Sequence, residues 1–164
     1  MSKRKQMPAR KMKPVFLVIC EGQSEAAYIE LLKQMYRSPV KVIADVIGTG
    51  ISKLLVNRKV REIKLTPHDQ VKVFLVYDMD VETINRKIEE CDCSKILSNP
   101  CFEIWYLLHS KKVSRRLETD ECLKFLKNSS QIWANYDKGK LTDSQNADFS
   151  DDHPGISAIT THLS

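Results

Sequence analysis

Apolar positions along this chain fall into two patterns: short unbroken runs, and longer stretches spaced at three and four. Val15-Phe16-Leu17-Val18-Ile19-Cys20 and Val71-Lys72-Val73-Phe74-Leu75-Val76-Tyr77 belong to the first kind. Such β-branched and aromatic runs suit strands covered on both faces, as in a parallel sheet. Val40 to Ile47 reads as another strand, although Asp45 interrupts it, and Lys95-Ile96-Leu97 as a short one. The helical stretches lie between them. Ala27, Ile29, Leu31, Leu32 and Met35 give a helix from Glu25 to Met35 an apolar face, with Ser24 as its N-cap. Ile51 to Leu65 and Val81 to Cys91 are amphipathic in the same way. Asn99 as cap and Pro100 in the first turn predict a helix through His109, apolar nearly all round and therefore buried. Gly48-Thr49-Gly50 and Thr66-Pro67-His68-Asp69 read as turns.

Strand and helix alternate, which predicts an α/β fold: a mostly parallel four-stranded sheet, Rossmann-like, flanked by helices with right-handed crossovers. From Lys111 onward the pattern weakens. Glu118 to Lys127 reads as a helix, Tyr136 to Lys140 as a loop, residues 142–152 as a polar, acidic and mobile stretch, and Ile156 to Leu163 as a last short helix. We therefore divide the chain into a basic, disordered tail (1–14), an α/β core (15–110) and a small helical and loop extension of the same domain (111–164).

Composition changes this picture in three places. The net charge is +5, but Lys3, Arg4, Lys5, Arg10, Lys11 and Lys13 all precede residue 15, leaving 20 basic against 21 acidic residues in the rest. Such an arm contacts nucleic acid or is simply a solvated end, and the pattern leaves both open. The basic side of the helix from Ile51 to Leu65 (Lys53, Arg58, Lys59, Arg61, Lys64) is open in the same sense. No apolar run approaches the roughly 20 residues needed to span a bilayer, so we expect no membrane partner. The five cysteines are odd in number and irregularly spaced, as reduced cytoplasmic thiols are. Cys91 and Cys93 have no second pair at zinc-finger spacing, so structural zinc is not expected.

The candidate chemistry sits where the two apolar runs stop. One ends in Glu21-Gly22-Gln23-Ser24-Glu25 and the other in Asp78-Met79-Asp80. Two carboxylates two residues apart repel unless a cation lies between them, and a hard cation such as Mg²⁺ or Mn²⁺ is held by one or two carboxylates with water and phosphate oxygens. Ligands of open α/β sheets bind at the carboxyl ends of the strands. If the two strands are neighbours, Glu21, Asp78 and Asp80 converge as metal ligands, a set suited to phosphodiester cleavage or transfer. Glu21 serves there as ligand or as general acid/base, and Glu25, one turn on, reaches a second metal. The bland account is that these acids only open the following helices. Glu103 is the one formal charge between Ile96 and Leu108, on a helix read as buried. It is either salt-bridged in the core or faces the same cleft. Gly48-x-Gly50 lacks the third glycine of a dinucleotide fingerprint.

These residues carry a resemblance. Glu21-Gly22-x-x-Glu25 after one strand and Asp78-x-Asp80 after a later one resemble the Toprim pattern of topoisomerases, primases and OLD-type nucleases. The basic lead-in, Val18 to Gly22 with Ser24-Glu25, Val76 to Asp80, Ser98-Asn99-Pro100-Cys101-Phe102-Glu103-Ile104-Trp105-Tyr106-Leu107-Leu108-His109 and Tyr136-Asp137-Lys138-Gly139 resemble the RloB-like family of phage-defence, abortive-infection proteins. The block from Ser98 to Glu103 is the most specific, since generic Toprim domains lack it. The resemblance implies a Toprim-like sheet and an Mg²⁺-dependent nuclease acting on RNA (tRNA among its candidates) or DNA in a prokaryotic cytoplasm, with a defence companion protein as a further partner. It assigns Glu21, Asp78 and Asp80 as the Toprim acids and Glu25 as the second OLD-type acid, and adds Glu103, Lys138 and His109 as family positions without assigned roles. Two departures stand out: the segment from Asp80 to Ser98 is short, and His153 to Ser157 only loosely echoes the family's closing Asn-Pro-Ser-Thr. Other readings remain beside the nuclease: a Toprim-like module that binds nucleic acid or a phage protein without cutting, a nucleotide-sugar transferase using Asp-x-Asp, and a hydrolase of small phosphate esters.

Overall fold

The two long apolar runs form adjacent central strands. The computed structural model describes residues 13–37 and 39–149, so the basic lead-in before Lys13, the segment from His153 to Ser157 and the helix expected at Ile156 to Leu163 lie outside the described residues. Four strands, β1 (Lys13–Cys20), β2 (Lys41–Val46), β3 (Asp69–Asp78) and β4 (Ser94–Ser98), make one all-parallel sheet in the order β2-β1-β3-β4. Every residue of β1 pairs with β3, from Lys13 against Asp69 to Cys20 against Val76. β2 is an edge strand, which explains how it tolerates Asp45. That carboxylate reaches out to Lys59 at 2.9 Å.

Strand side chains alternate between two apolar layers. Val18, Cys20 and Val76 face α1 (Gln23–Tyr36) and the C-terminal part of the chain, packing with Leu31, Phe102, Tyr106, Trp133 and Phe149. Leu17, Ile19, Leu75 and Tyr77 face α2 (Lys53–Glu62) and α3 (Glu82–Glu89), packing with Ile51, Val56, Ile84 and Ile88. Each such fully buried aliphatic side chain contributes about 1.5–3 kcal/mol. α4 (Glu103–Ser110) and α5 (Thr119–Lys127) enclose a smaller cluster of Cys101, Leu107, Leu117 and Cys122.

The helix starts differ from expectation at three places. α1 begins at Gln23 with Gly22 as its cap, because the Glu25 carboxylate already accepts the Gly22 N–H at 3.0 Å. Ser24 is thereby drawn inside the first turn and buried. α4 begins at Glu103, not at Pro100. Asn99-Pro100 is a cis peptide in the turn before it, and Phe102 occupies the cap position. α2 begins at Lys53, where Ser52 caps by accepting the Leu55 N–H.

The expectation of a mobile stretch from residue 142 is also corrected. Asp143–Asp148 is a helix, α6, closed by a reciprocal cap in which the Thr142 hydroxyl accepts the Gln145 N–H and the Gln145 side-chain oxygen Oε1 accepts the Thr142 N–H. Gln145 is buried and donates to the Ile132 carbonyl. Asp148 accepts the Trp133 indole N–H at 2.8 Å, and Phe149 is 2 % exposed. Polar composition hid a segment held by caps and by one aromatic anchor. All five cysteines are free. Among the described residues, no helix is long and apolar enough to cross a membrane.

Candidate active site

From β1 the chain steps outward to β2 on one side, then returns to β3 on the other. In this strand order the crevice between β1 and β3, beyond their carboxyl ends, is the switch point where open α/β sheets bind ligands. Glu21 and Asp78 leave the sheet there. The Glu21 N–H continues the ladder onto the Val76 carbonyl at 3.1 Å, and the Glu21 carboxylate accepts the Asp78 N–H at 3.0 Å. The two strand ends are thus tied together through the first candidate acid.

Glu25 arrives from the first turn of α1, 5 % exposed. A Cβ on Gly22 would stand 3.2 Å from the Glu25 carboxylate, so the close approach that glycine permits here is that of Glu25 itself. Burial raises the Glu25 pKa above the usual carboxylate range, two hydrogen bonds from backbone N–H groups oppose the rise, and the charges of Glu21 and Glu103 add to it. Glu103, the first residue of α4, is 1 % exposed. One of its oxygens accepts the Tyr136 hydroxyl at 3.1 Å. The other has no hydrogen bond and lies 3.6 Å from the Lys138 ammonium. Burial works against that ammonium, but the charges of Glu103 and Asp78 outweigh it and hold its pKa above the usual lysine value.

Asp78 stands amid these charges. Its Oδ1 is buried and has no hydrogen-bond partner among the described residues. Burial first, then the charges of Glu25, Glu21, Glu103 and Asp80, push its carboxyl up to about 8. Asp80, two residues on, is exposed at the rim. The fold therefore gathers Glu21, Glu25, Asp78 and Glu103 with Lys138, leaves Asp80 outermost, and places His109 elsewhere. His109 lies toward the far end of α4, where its Nε2 shares a hydrogen bond of 2.7 Å with the Tyr28 hydroxyl.

Several residues that build the site were not marked for it by spacing. Ser24 Oγ accepts the Gly139 N–H at 2.9 Å and lies 3.3 Å from the Tyr136 hydroxyl. Its carbonyl accepts the Tyr106 hydroxyl at 3.0 Å. These bonds latch the 136–139 loop onto the start of α1 and so carry Lys138 to Glu103. Gly139 is needed twice over: its φ is 82°, and a Cβ there would meet Gln23 Cβ at 2.9 Å. Ser98 at the end of β4 accepts the Trp105 indole N–H at 3.0 Å, and its carbonyl accepts the Met79 N–H. Only the block of consecutive matches from Ser98 to His109 hinted at that support.

The donor chemistry suits a hard divalent cation. Among the described residues, the cluster of carboxylates is met by Lys138, and Asp78 keeps an oxygen with no hydrogen-bond partner. Glu21, Asp78 and Asp80 are the acids that the sequence resemblance assigns to such an ion. Among the described residues, no three His, Cys, Asp or Glu side chains are grouped so that they could hold a metal ion together. One Glu21 oxygen is engaged by a backbone N–H and Asp80 lies at the exposed rim. The arrangement fits an ion held by one or two carboxylates, with water and substrate oxygens completing its shell, as Mg²⁺ prefers.

A parallel open sheet with a carboxylate cluster at its switch point defines the class: an α/β protein whose site lies beyond the ends of β1 and β3. The chain belongs to the RloB-like family, whose model (RloB-like protein) matches residues 16–160. No curated protein and no solved structure matches it significantly.

Proposed function

We propose that this protein is a Toprim-type nuclease that hydrolyses phosphodiester bonds of RNA or DNA with Mg²⁺ or Mn²⁺, serving phage defence in a prokaryotic cytoplasm, with a defence-system companion protein as a further partner. The observation that carries the reading is the convergence of Glu21 and Asp78 at the β1/β3 switch point, with Asp78 Oδ1 buried and unsatisfied. Family membership supports the setting. Glu21, Asp78 and Asp80 hold the ion. When bound, it supplies neutralisation of the phosphate, activation of a water and relief of charge on the leaving oxygen.

The remaining groups act from the chain itself. Glu25, whose pKa burial raises, can take or hold a proton beside Glu21. Lys138 sets a positive charge against Glu103 at the mouth of the site, where an anionic substrate arrives. Tyr136 and Ser24 fix the loop that bears it. The test is cleavage of mixed tRNA, single-stranded DNA and plasmid with Mg²⁺ or Mn²⁺, wild type beside Asp78→Ala/Asp80→Ala. Cleavage that requires both metal and carboxylates is the expected result. Undiminished cleavage by a folded double variant refutes the assignment.

One observation favours a second reading, a module that binds nucleic acid without cutting it. The Glu21 carboxylate spends an oxygen on the Asp78 N–H, so it also has a purely structural use. Oligonucleotide binding that survives EDTA, with no turnover in any divalent metal, would select that reading.

A further inference from the structure

The turn between α4 and α5 carries a cluster of cations that shares no residue with the carboxylate cluster. Ser110-Lys111-Lys112-Val113-Ser114-Arg115-Arg116 holds four cations and no acid. Two of them, Lys111 and Arg115, each lie 5.4 Å from the centre of one ring, that of Phe125. A single aromatic ring thus meets two positive charges. Glu121 takes both Nη atoms of Arg115, at 3.1 and 3.3 Å. That pairing fixes the guanidinium against the ring. Among the described residues, no carboxylate lies within ion-pair distance of Lys111 or Lys112. Below them opens a cavity of about 210 Å³ lined by Lys111, Lys112, Ser114 and Arg115 over Leu107 and Phe125. Cations at a rim, a hydroxyl beside them and an apolar floor are the parts of an anion site.

We infer that this pocket holds a backbone phosphate of a nucleic-acid strand whose scissile bond lies at the carboxylate cluster. The inference rests on the reading that the substrate is nucleic acid. α4 joins the two places: Glu103 opens the helix in the cluster, and Lys111 follows its last residue. Eight residues at about 1.5 Å each separate them by about 12 Å along the axis, or three to four phosphates of a helical strand at about 3.4 Å each. The pocket therefore anchors the strand several nucleotides from the cut and sets its register, reading charge and not base identity.

The test is binding of a fluorescein-labelled single-stranded oligonucleotide, RNA and DNA in turn, to the full chain in EDTA across a salt series. Lys111→Gln/Lys112→Gln is compared with wild type and with Arg58→Gln/Arg61→Gln on α2. The altered side chains are exposed, so the fold is retained. The pocket variant should lose on the order of tenfold in affinity, and its slope of log K against log salt should fall by about 0.7, the value for one lost phosphate contact on a single strand. The α2 variant should match wild type. Equal binding by the pocket variant, or loss confined to the α2 variant, overturns the pocket and leaves the nuclease reading standing. Absence of oligonucleotide binding by wild type overturns the pocket, and cleavage in Mg²⁺ or Mn²⁺ then decides the nuclease reading separately. Binding to phosphatidylserine vesicles without binding to either oligonucleotide overturns the pocket as a nucleic-acid site in favour of a membrane surface.

Discussion

Replacing Asp78 by asparagine tests the electrostatic account of the site without requiring activity. Burial and four neighbouring carboxylates push the Asp78 carboxyl from an ordinary 3.8 to about 8. The folded protein then keeps a proton on Asp78 between about pH 4 and pH 8, where the unfolded chain has released it. Stability from this group is fully present below the unfolded pKa and is lost as pH rises through the folded one. At about 1.4 kcal/mol per pH unit, the whole displacement sets a ceiling of about 6 kcal/mol. Water reaches part of the carboxyl and screens its neighbours, which lowers the expectation to about 2–3 kcal/mol. The asparagine amide would keep the shape of the protonated acid and carry no charge. Asp78→Asn should therefore match wild type at about pH 3 in EDTA, below the unfolded pKa, and exceed it by about 2–3 kcal/mol at about pH 9. Urea unfolding at the two pH values, both proteins side by side, measures this. A stability gap that is the same at about pH 3 and about pH 9 refutes the crowding argument.

Three further substitutions test the framework around the acids. Gly139→Ala forces a side chain into a left-handed backbone against Gln23 and should cost about 1–3 kcal/mol, read as a lower urea midpoint; an unchanged midpoint would mean that the loop is not latched as described. Tyr136→Phe leaves the buried Glu103 carboxylate without its hydroxyl donor and should cost about 1–3 kcal/mol. Thermal unfolding measures it, and a melting temperature equal to wild type would show that the bond contributes nothing net. Phe149→Ala removes a ring packed on Tyr28, Tyr106, His109 and Trp133 and should cost about 3–5 kcal/mol. A loss below about 1 kcal/mol, the size of an ordinary surface change, would show that α6 contributes little to the core.

The parallel sheet was legible because its signal is local. Unbroken β-branched runs at Val15 and Val71, separated by helical periods, leave few other architectures open, and the acids at their ends mark which edge matters. Glu103 was legible as a lone charge on an apolar helix, and of the two outcomes it invited, the structure realises both at once: it pairs with Lys138 and faces the cleft. The helix starts were less legible, because capping depends on which side chain wins a backbone N–H. Glu25 took the Gly22 N–H and released Ser24 for work across the chain. α6 was hidden because polar residues fill it, and its anchors, Trp133 to Asp148 and Gln145 to Ile132, link positions that sequence spacing does not relate.

The site also depends on chain order in a way no local pattern carries. β1 and β3 supply Glu21 and Asp78 by register alone, and α1 and α4 add Glu25 and Glu103 from their first turns. Those four carboxylates repel one another, and every step that brings them closer raises the cost of keeping them charged. The cation set against them among the described residues, Lys138, comes from a loop far along the chain, held by Ser24, Tyr136 and Gly139. The strand ends can thus be in register while the charge balance is still missing. The balance is completed only when the 136–139 loop docks on α1. Folding of the C-terminal part and assembly of the site are on this argument a single event, and a lesion in the latch should impair the carboxylate cluster even though the sheet beneath it is intact.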